Sequence, residues 1–152
     1  YELFGLSVLV MLALLGSLII SYLRLDAGRT KVAAVERWSV DVPFGLYLGW
    51  VSVATIANIT SFLYFIQWNG FGIDPQVWAV IMLAVATVLG VLMAVTRHDA
   101  AYLLVFTWAF AGIAVKHIDV RLVATAAWAA AIIAFGFALY SLAHHAPETP
   151  PA

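Results

Sequence analysis

The stretch Pro43–Gly70, PFGLYLGWVSVATIANITSFLYFIQWNG, decides how the chain is read. It is apolar enough to cross a bilayer. It also carries Tyr47, Trp50, Thr55, Asn58 and Ser61, which a helix facing only lipid does not need. On a helix turning ~100° per residue, Tyr47, Trp50, Ala54, Asn58 and Ser61 fall within one arc of roughly 80°. That face is aromatic at one end, small in the middle and polar at the other. Gly45 and Gly49 form a GxxxG step, which lets another helix approach closely. The expectation is a helix inside a bundle, touching whatever the protein binds. Packing alone accounts for the same residues: membrane helices use Asn, Ser and Thr to bond their neighbours, and Trp and Tyr anchor helix ends at the interface.

Composition sets the class. The 152 residues are 65% hydrophobic and 10% charged, against ~25% charged for a soluble domain. Such a chain cannot cover itself with a polar surface and belongs in lipid. The formal charge of −1 offers no basic surface for nucleic acid. With no Cys there are no disulfides, thiolate metal sites or cysteine nucleophiles. The first residue is Tyr1 rather than Met, which suits a processed or partial product with helices upstream.

Outward from the central stretch, the pattern predicts an all-α integral membrane protein, a bundle of about five transmembrane helices over 1–145. The helices fall at about 3–23, 43–68, 75–96, 100–116 and 120–142. Leu3–Leu23 is uncharged and long enough for a ~30 Å hydrocarbon core. The polar connection from Arg24 to Asp41 has room for a short interfacial helix over Lys31–Arg37, with Trp38 at the headgroups. Pro43 suits the first turn of the second helix. Asn69-Gly70-Phe71-Gly72 is a turn cluster, and Asp74-Pro75 reads as an N-cap followed by Pro. Arg97-His98-Asp99 is a tight turn, with His98 solvated. Asp119 is expected to cap the fifth helix, whose Ala-rich centre favours close packing. Residues 146–152 read as a disordered Pro-rich tail.

The basic residues give an orientation. Arg24, Arg29, Lys31, Arg37 and Arg97 fall on one side of the membrane, Lys116 and Arg121 on the other. That bias puts the first side in the cytoplasm, the N-terminus outside and the C-terminus inside. A prokaryotic cytoplasmic (inner) membrane is the expected location.

Catalytic chemistry has no evident carrier. No predicted span holds an acidic or basic residue in its middle, as pumps and ion-coupled carriers usually require. Nucleotide-binding glycine motifs, HExxH and GxSxG are missing from the sequence. The expectation is therefore a protein that is not an enzyme. The four histidines are the only candidate metal or tetrapyrrole ligands. His117 is the weak candidate among them, at a membrane boundary where a headgroup contact is the favoured reading. Trp50, Trp108 and Trp128 fall deep enough to line a pocket for a flat apolar ligand, or only to fill space.

The central stretch resembles a helix of the tryptophan-rich sensory protein / translocator protein family, TspO/MBR. The residues carrying the likeness are Tyr47-Leu48-Gly49-Trp50, Ala54 and Asn58, followed by Trp68 and Asn69. They match the start, Trp, Ala and Asn of that family's fifth helix. The likeness covers Leu3 to Gly70, which would make the chain either the C-terminal part of a longer member with extra helices appended or a divergent relative that kept the helix and lost the pocket. Pro43 stands three positions earlier than the family's usual Pro, and the family's Trp-Pro-Pro segment is missing.

The resemblance implies a five-helix bundle that binds porphyrins, haem-like tetrapyrroles, sterols or isoquinoline-type ligands. It places Trp50, Ala54 and Asn58 at the pocket and Tyr47 near its rim, with Gly45 and Gly49 left for helix packing. The cofactor it implies is a tetrapyrrole of porphyrin, haem or chlorophyll type, bound in a sensory role without turnover. The second reading is a structural accessory subunit of an energy-transducing or photosynthetic membrane complex, motivated by the Gly and Ala contact surfaces. Expected partners are the lipid bilayer and either further copies of this chain or other membrane subunits.

Overall fold

In lipid every backbone polar group must be satisfied within its own segment, so long apolar runs become helices. The computed structural model describes residues 3–24 and 37–144. It contains α1 (Phe4–Arg24), α2 (Val42–Phe65), α3 (Pro75–Arg97), α4 (Ala100–Lys116) and α5 (Arg121–Ala143), and no strand among the described residues. α1, α2, α3 and α5 are each long and apolar enough to cross a membrane. The protein is an all-α integral membrane bundle. The expected interfacial helix over Lys31–Arg37 falls mostly outside the described residues, and the 146–152 tail falls wholly outside them.

Local chemistry sets the helix ends. A single π-type turn, Arg37–Asp41, leads into α2, and Pro43 sits in the first turn, where its missing N–H costs nothing. α2 stops at Phe65, short of the expected Trp68, because Gln67 turns left-handed (φ 53°). The link to α3 then reverses through Gly70, Phe71 and Gly72, all at positive φ. Trp78 Nε1 donates to the Gly70 carbonyl at 2.8 Å, and a Cβ on Gly70 would lie 2.7 Å from that nitrogen. Asp74 caps α3 by accepting the Gln76 N–H at 2.8 Å. Asp119 does not cap α5: the N-cap is Val120, whose N–H donates to the His117 carbonyl at 2.8 Å.

The centre of the bundle is α4 rather than α2. It packs against α2, α3 and α5, and its Leu103 and Phe106 are fully buried. At 17 residues it is ~25 Å long. Surrounded by longer helices, it does not have to match the hydrocarbon thickness itself. α5 meets it through Ala127, Ala130, Ala131 and Ala134, small enough for close backbone approach. α1 lies at the periphery, packed mainly on α2.

α2 meets α4 through glycine. A Cβ on Gly49 would lie 3.1 Å from the Tyr102 carbonyl and 3.1 Å from Val105 Cβ. Backbone cannot yield as a side-chain tip can, so Gly49→Leu is expected to destabilise the bundle by about 1–3 kcal/mol through overpacking. Gly112, with nothing within 4 Å of its added Cβ, is the control position. Thermal or SDS unfolding in mild detergent compares Gly49→Leu with Gly112→Ala; equal stability of the two would remove the close approach.

Candidate functional site

Polar groups gather where the end of α1, the start of α2 and the α3–α4 turn meet. His98 takes the left-handed conformation (φ 52°) that lets α3 end and the chain turn at once into α4. It is half-buried beside Tyr140, 6.2 Å between ring centroids, rather than solvated as a turn residue. The next residue, Asp99, caps α4: its Oδ1 accepts the Tyr102 N–H at 3.0 Å. Its Oδ2 accepts the Tyr22 hydroxyl of α1 at 2.9 Å. Room for this carboxylate comes from α2, since a Cβ on Gly45 would lie 2.5 Å from Oδ2. One carboxylate thus ties three helices together.

The surroundings continue the polar line. The buried Arg97 guanidinium lies 5.5 Å from the centroid of the Tyr22 ring, a cation–π distance. Tyr22 also stacks on Phe44 at 5.9 Å. One turn further in, the Tyr102 hydroxyl donates to Ser52 Oγ at 3.3 Å, and Ser52 Oγ donates to the Leu48 carbonyl at 2.8 Å. Burial pushes the Asp99 carboxyl above the usual carboxylate range, and the hydrogen bonds from Tyr102 and Tyr22 pull against it.

A groove of about 310 Å³ opens beside this cluster. Ile19, Tyr22 and Leu23 of α1 form one wall, Met93, Thr96 and Arg97 of α3 the other, and Leu48 of α2 the floor.

The arc singled out in the sequence lies elsewhere. Tyr47 and Trp50 are 49% and 57% exposed on the outside of the bundle, and Ala54 is half-buried. Asn58 Nδ2 donates to Ser7 Oγ of α1 at 2.6 Å. These residues share a face of α2, but the buried face of Gly45, Leu48, Ser52 and Thr55 is centred roughly 140° from it. None of the four lines the groove. Gly45 and Gly49 are both buried, against Asp99 and Tyr102 respectively. Trp108 and Trp128 also face outward. His117 Nδ1 lies 3.1 Å from the Ile113 carbonyl, leaving Nε2 as the nitrogen a metal would take. Among the described residues no three His, Cys, Asp or Glu side chains gather.

The Tyr22–Asp99–Arg97 cluster escaped the sequence reading. Its available signal was an Asp directly before an apolar run, the same N-cap pattern recognised at Asp74. The long-range partner, Tyr22, carries no local signal.

A family model described as TSPO-like protein matches residues 1–140. No curated protein and no solved structure matches the chain. The chain belongs to the TSPO-like family. The match runs through α3 and α4 and into α5, beyond the Leu3–Gly70 stretch that carries the sequence likeness, so these helices lie within the family's span rather than outside it. α2 is the second of five helices in that span, so position alone does not equate it with the family's fifth. The roles of Tyr47, Trp50, Ala54 and Asn58 then stand on their shared face.

The raised Asp99 carboxyl fixes the sign of a pH effect. Between the unfolded and the higher folded pKa the folded chain holds more protons than the unfolded one, so this group's contribution to stability falls as pH rises. Asp99→Asn keeps the cap and the acceptor for Tyr22 but cannot ionise. Melting temperature in detergent, followed upward from about pH 4, is expected to fall for the wild type relative to Asp99→Asn. Parallel profiles would mean that this carboxyl titrates as it does in water.

Proposed function

We propose that this TSPO-like protein is a membrane-embedded binding protein for a flat apolar ligand such as a tetrapyrrole of the porphyrin, haem or chlorophyll type, acting in a sensory or regulatory role without turnover. The observation that carries the reading is the uncovered arc of α2. The opposite face of this helix is spent on packing, while Tyr47, Trp50 and Ala54 remain open to an approach from the bilayer. Trp50 offers a flat stacking face, Ala54 a shallow place beside it, and Asn58 a second N–H and an amide oxygen beyond its bond to Ser7. In the orientation given by the basic residues, the Asp99 cluster lies at the cytoplasmic end, in a prokaryotic inner membrane with the N-terminus outside.

A second reading follows from the same uncovered surface. Trp50, Trp108 and Trp128 all point away from the chain's own core, which suits an accessory subunit laid against the helices of a larger complex or of further copies.

One experiment separates the two. Purified in mild detergent, the protein is expected to show tryptophan fluorescence quenched by an added porphyrin. Trp50→Ala should abolish most of that quenching, and Trp128→Ala should retain it. Quenching unchanged by Trp50→Ala would sink the α2 site. Stable co-purification with other membrane chains, insensitive to Trp50→Ala, would favour the accessory subunit.

A further inference from the structure

The groove between α1 and α3 is distinct from the α2 arc and asks for an occupant of its own. A gap in a bundle surrounded by lipid forfeits dispersion contacts unless something apolar fills it. This one has a direction. Tyr22 and Arg97 stand at the end of the bundle, and Arg24 closes α1 beside Leu23. Ile19 and Met93 lie about one turn deeper, about 4.5–6 Å at ~1.5 Å per residue, with Leu48 of α2 between them. Arg97 is the cation in the groove's lining, with the carboxylates of Asp99 and Asp41 close enough to act on Tyr22 beside it. A guanidinium above an apolar trough matches a molecule with an anionic head and a hydrocarbon tail. At about 310 Å³ the groove is near the lower end of small-molecule sites, ~300–1,000 Å³, and suits a chain better than a broad ring system.

We propose that this groove holds one acyl chain of an anionic phospholipid, with its phosphate on Arg97. The planar guanidinium presents five N–H donors in a fork that fits phosphate oxygens, enough to serve a phosphate beside its other contacts. Its position over the Tyr22 ring, with the Tyr22 hydroxyl held by Asp99, sets it in place before the lipid arrives. Asp99 does not confront the phosphate with two free oxygens: one accepts from Tyr22 and the other from the Tyr102 N–H. The positive side of the membrane assigned by Arg24 and Arg97 is the side where a bilayer's anionic lipids attract basic residues.

The test is native mass spectrometry of the delipidated full chain in mild detergent, titrated with phosphatidylglycerol or with phosphatidylcholine of the same acyl chains. One phosphatidylglycerol is expected to bind about tenfold tighter than phosphatidylcholine. Arg97→Gln should erase the preference and leave the weaker binding, with Arg97→Lys intermediate. Leu23→Trp, at a half-exposed wall position, fills the trough and should weaken both lipids, and it keeps the proposal testable if Arg97→Gln does not fold. Trp50→Ala should leave lipid binding unchanged, so this site and the proposed tetrapyrrole site fail separately. A preference that survives Arg97→Gln, binding untouched by Leu23→Trp, displacement of the lipid by millimolar inorganic phosphate alone, or a dimer that Leu23→Trp dissociates would each overturn the proposal.

Discussion

A carboxylate half-buried at the end of an apolar bundle needs hydrogen-bond partners, and at Asp99 that requirement positions three helices at once. The cap bond to Tyr102 belongs to α4, the hydroxyl bond comes from Tyr22 of α1, and the space is conceded by Gly45 of α2. Losing either hydrogen bond would leave a part-buried carboxylate poorly satisfied, so the contacts support one another. The geometry also explains why Gly45 and Gly49 lie one turn apart. The first admits the carboxylate, and the second admits the backbone of the turn that the carboxylate caps.

From that anchor the asymmetry of the bundle follows. α4 begins at the capped end and is enclosed by α2, α3 and α5, with Phe106 and Leu103 fully buried and alanines on the facing side of α5. α1 has no such seat. Apart from Tyr22 it is largely exposed, held along α2 and by the Asn58–Ser7 bond at the far end. A helix fixed at two points and packed mainly on one neighbour leaves a space against the next, and the groove beside α3 is that space.

How much of this was legible in the sequence depends on the range of the signal. Fold class and the five apolar helices were readable because hydropathy and length act within a segment. The GxxxG step was readable as a place of close approach, but not its partner, which lies some fifty residues away on α4. Which face of α2 packs inward was not legible, for a physical reason. In water, apolar and aromatic residues mark the core and polar ones the solvent side. In lipid both sides are apolar, so side-chain size is the better guide. The small residues Gly45, Gly49 and Ser52 pack inward and the large Tyr47 and Trp50 face out. Asp119 misled in the opposite way: a capping residue one position too early left Val120 at the N-cap.

The division of α2 into two faces bears on how the family fold carries function. The glycine face is committed to α4 through Asp99 and Tyr102, and substitutions there act on the whole bundle before they act on any ligand. Tyr47 and Trp50 lie outside that packing, so these two side chains can change with little effect on the helix. A scaffold built this way separates what holds it together from what it displays. The binding proposed for the displayed face rests on the chemistry of a few outward side chains rather than on the fold. The same logic sets the groove apart. Its walls mix exposed residues such as Ile19 and Leu23 with the buried Tyr22 and Arg97, and Tyr22 belongs to both the groove and the three-helix junction. An occupant touching Tyr22 and Arg97 therefore meets the junction directly, whereas one stacked on Trp50 does not. Of the two surfaces, only the groove is placed to feel, or to alter, how α1 sits on the rest of the bundle.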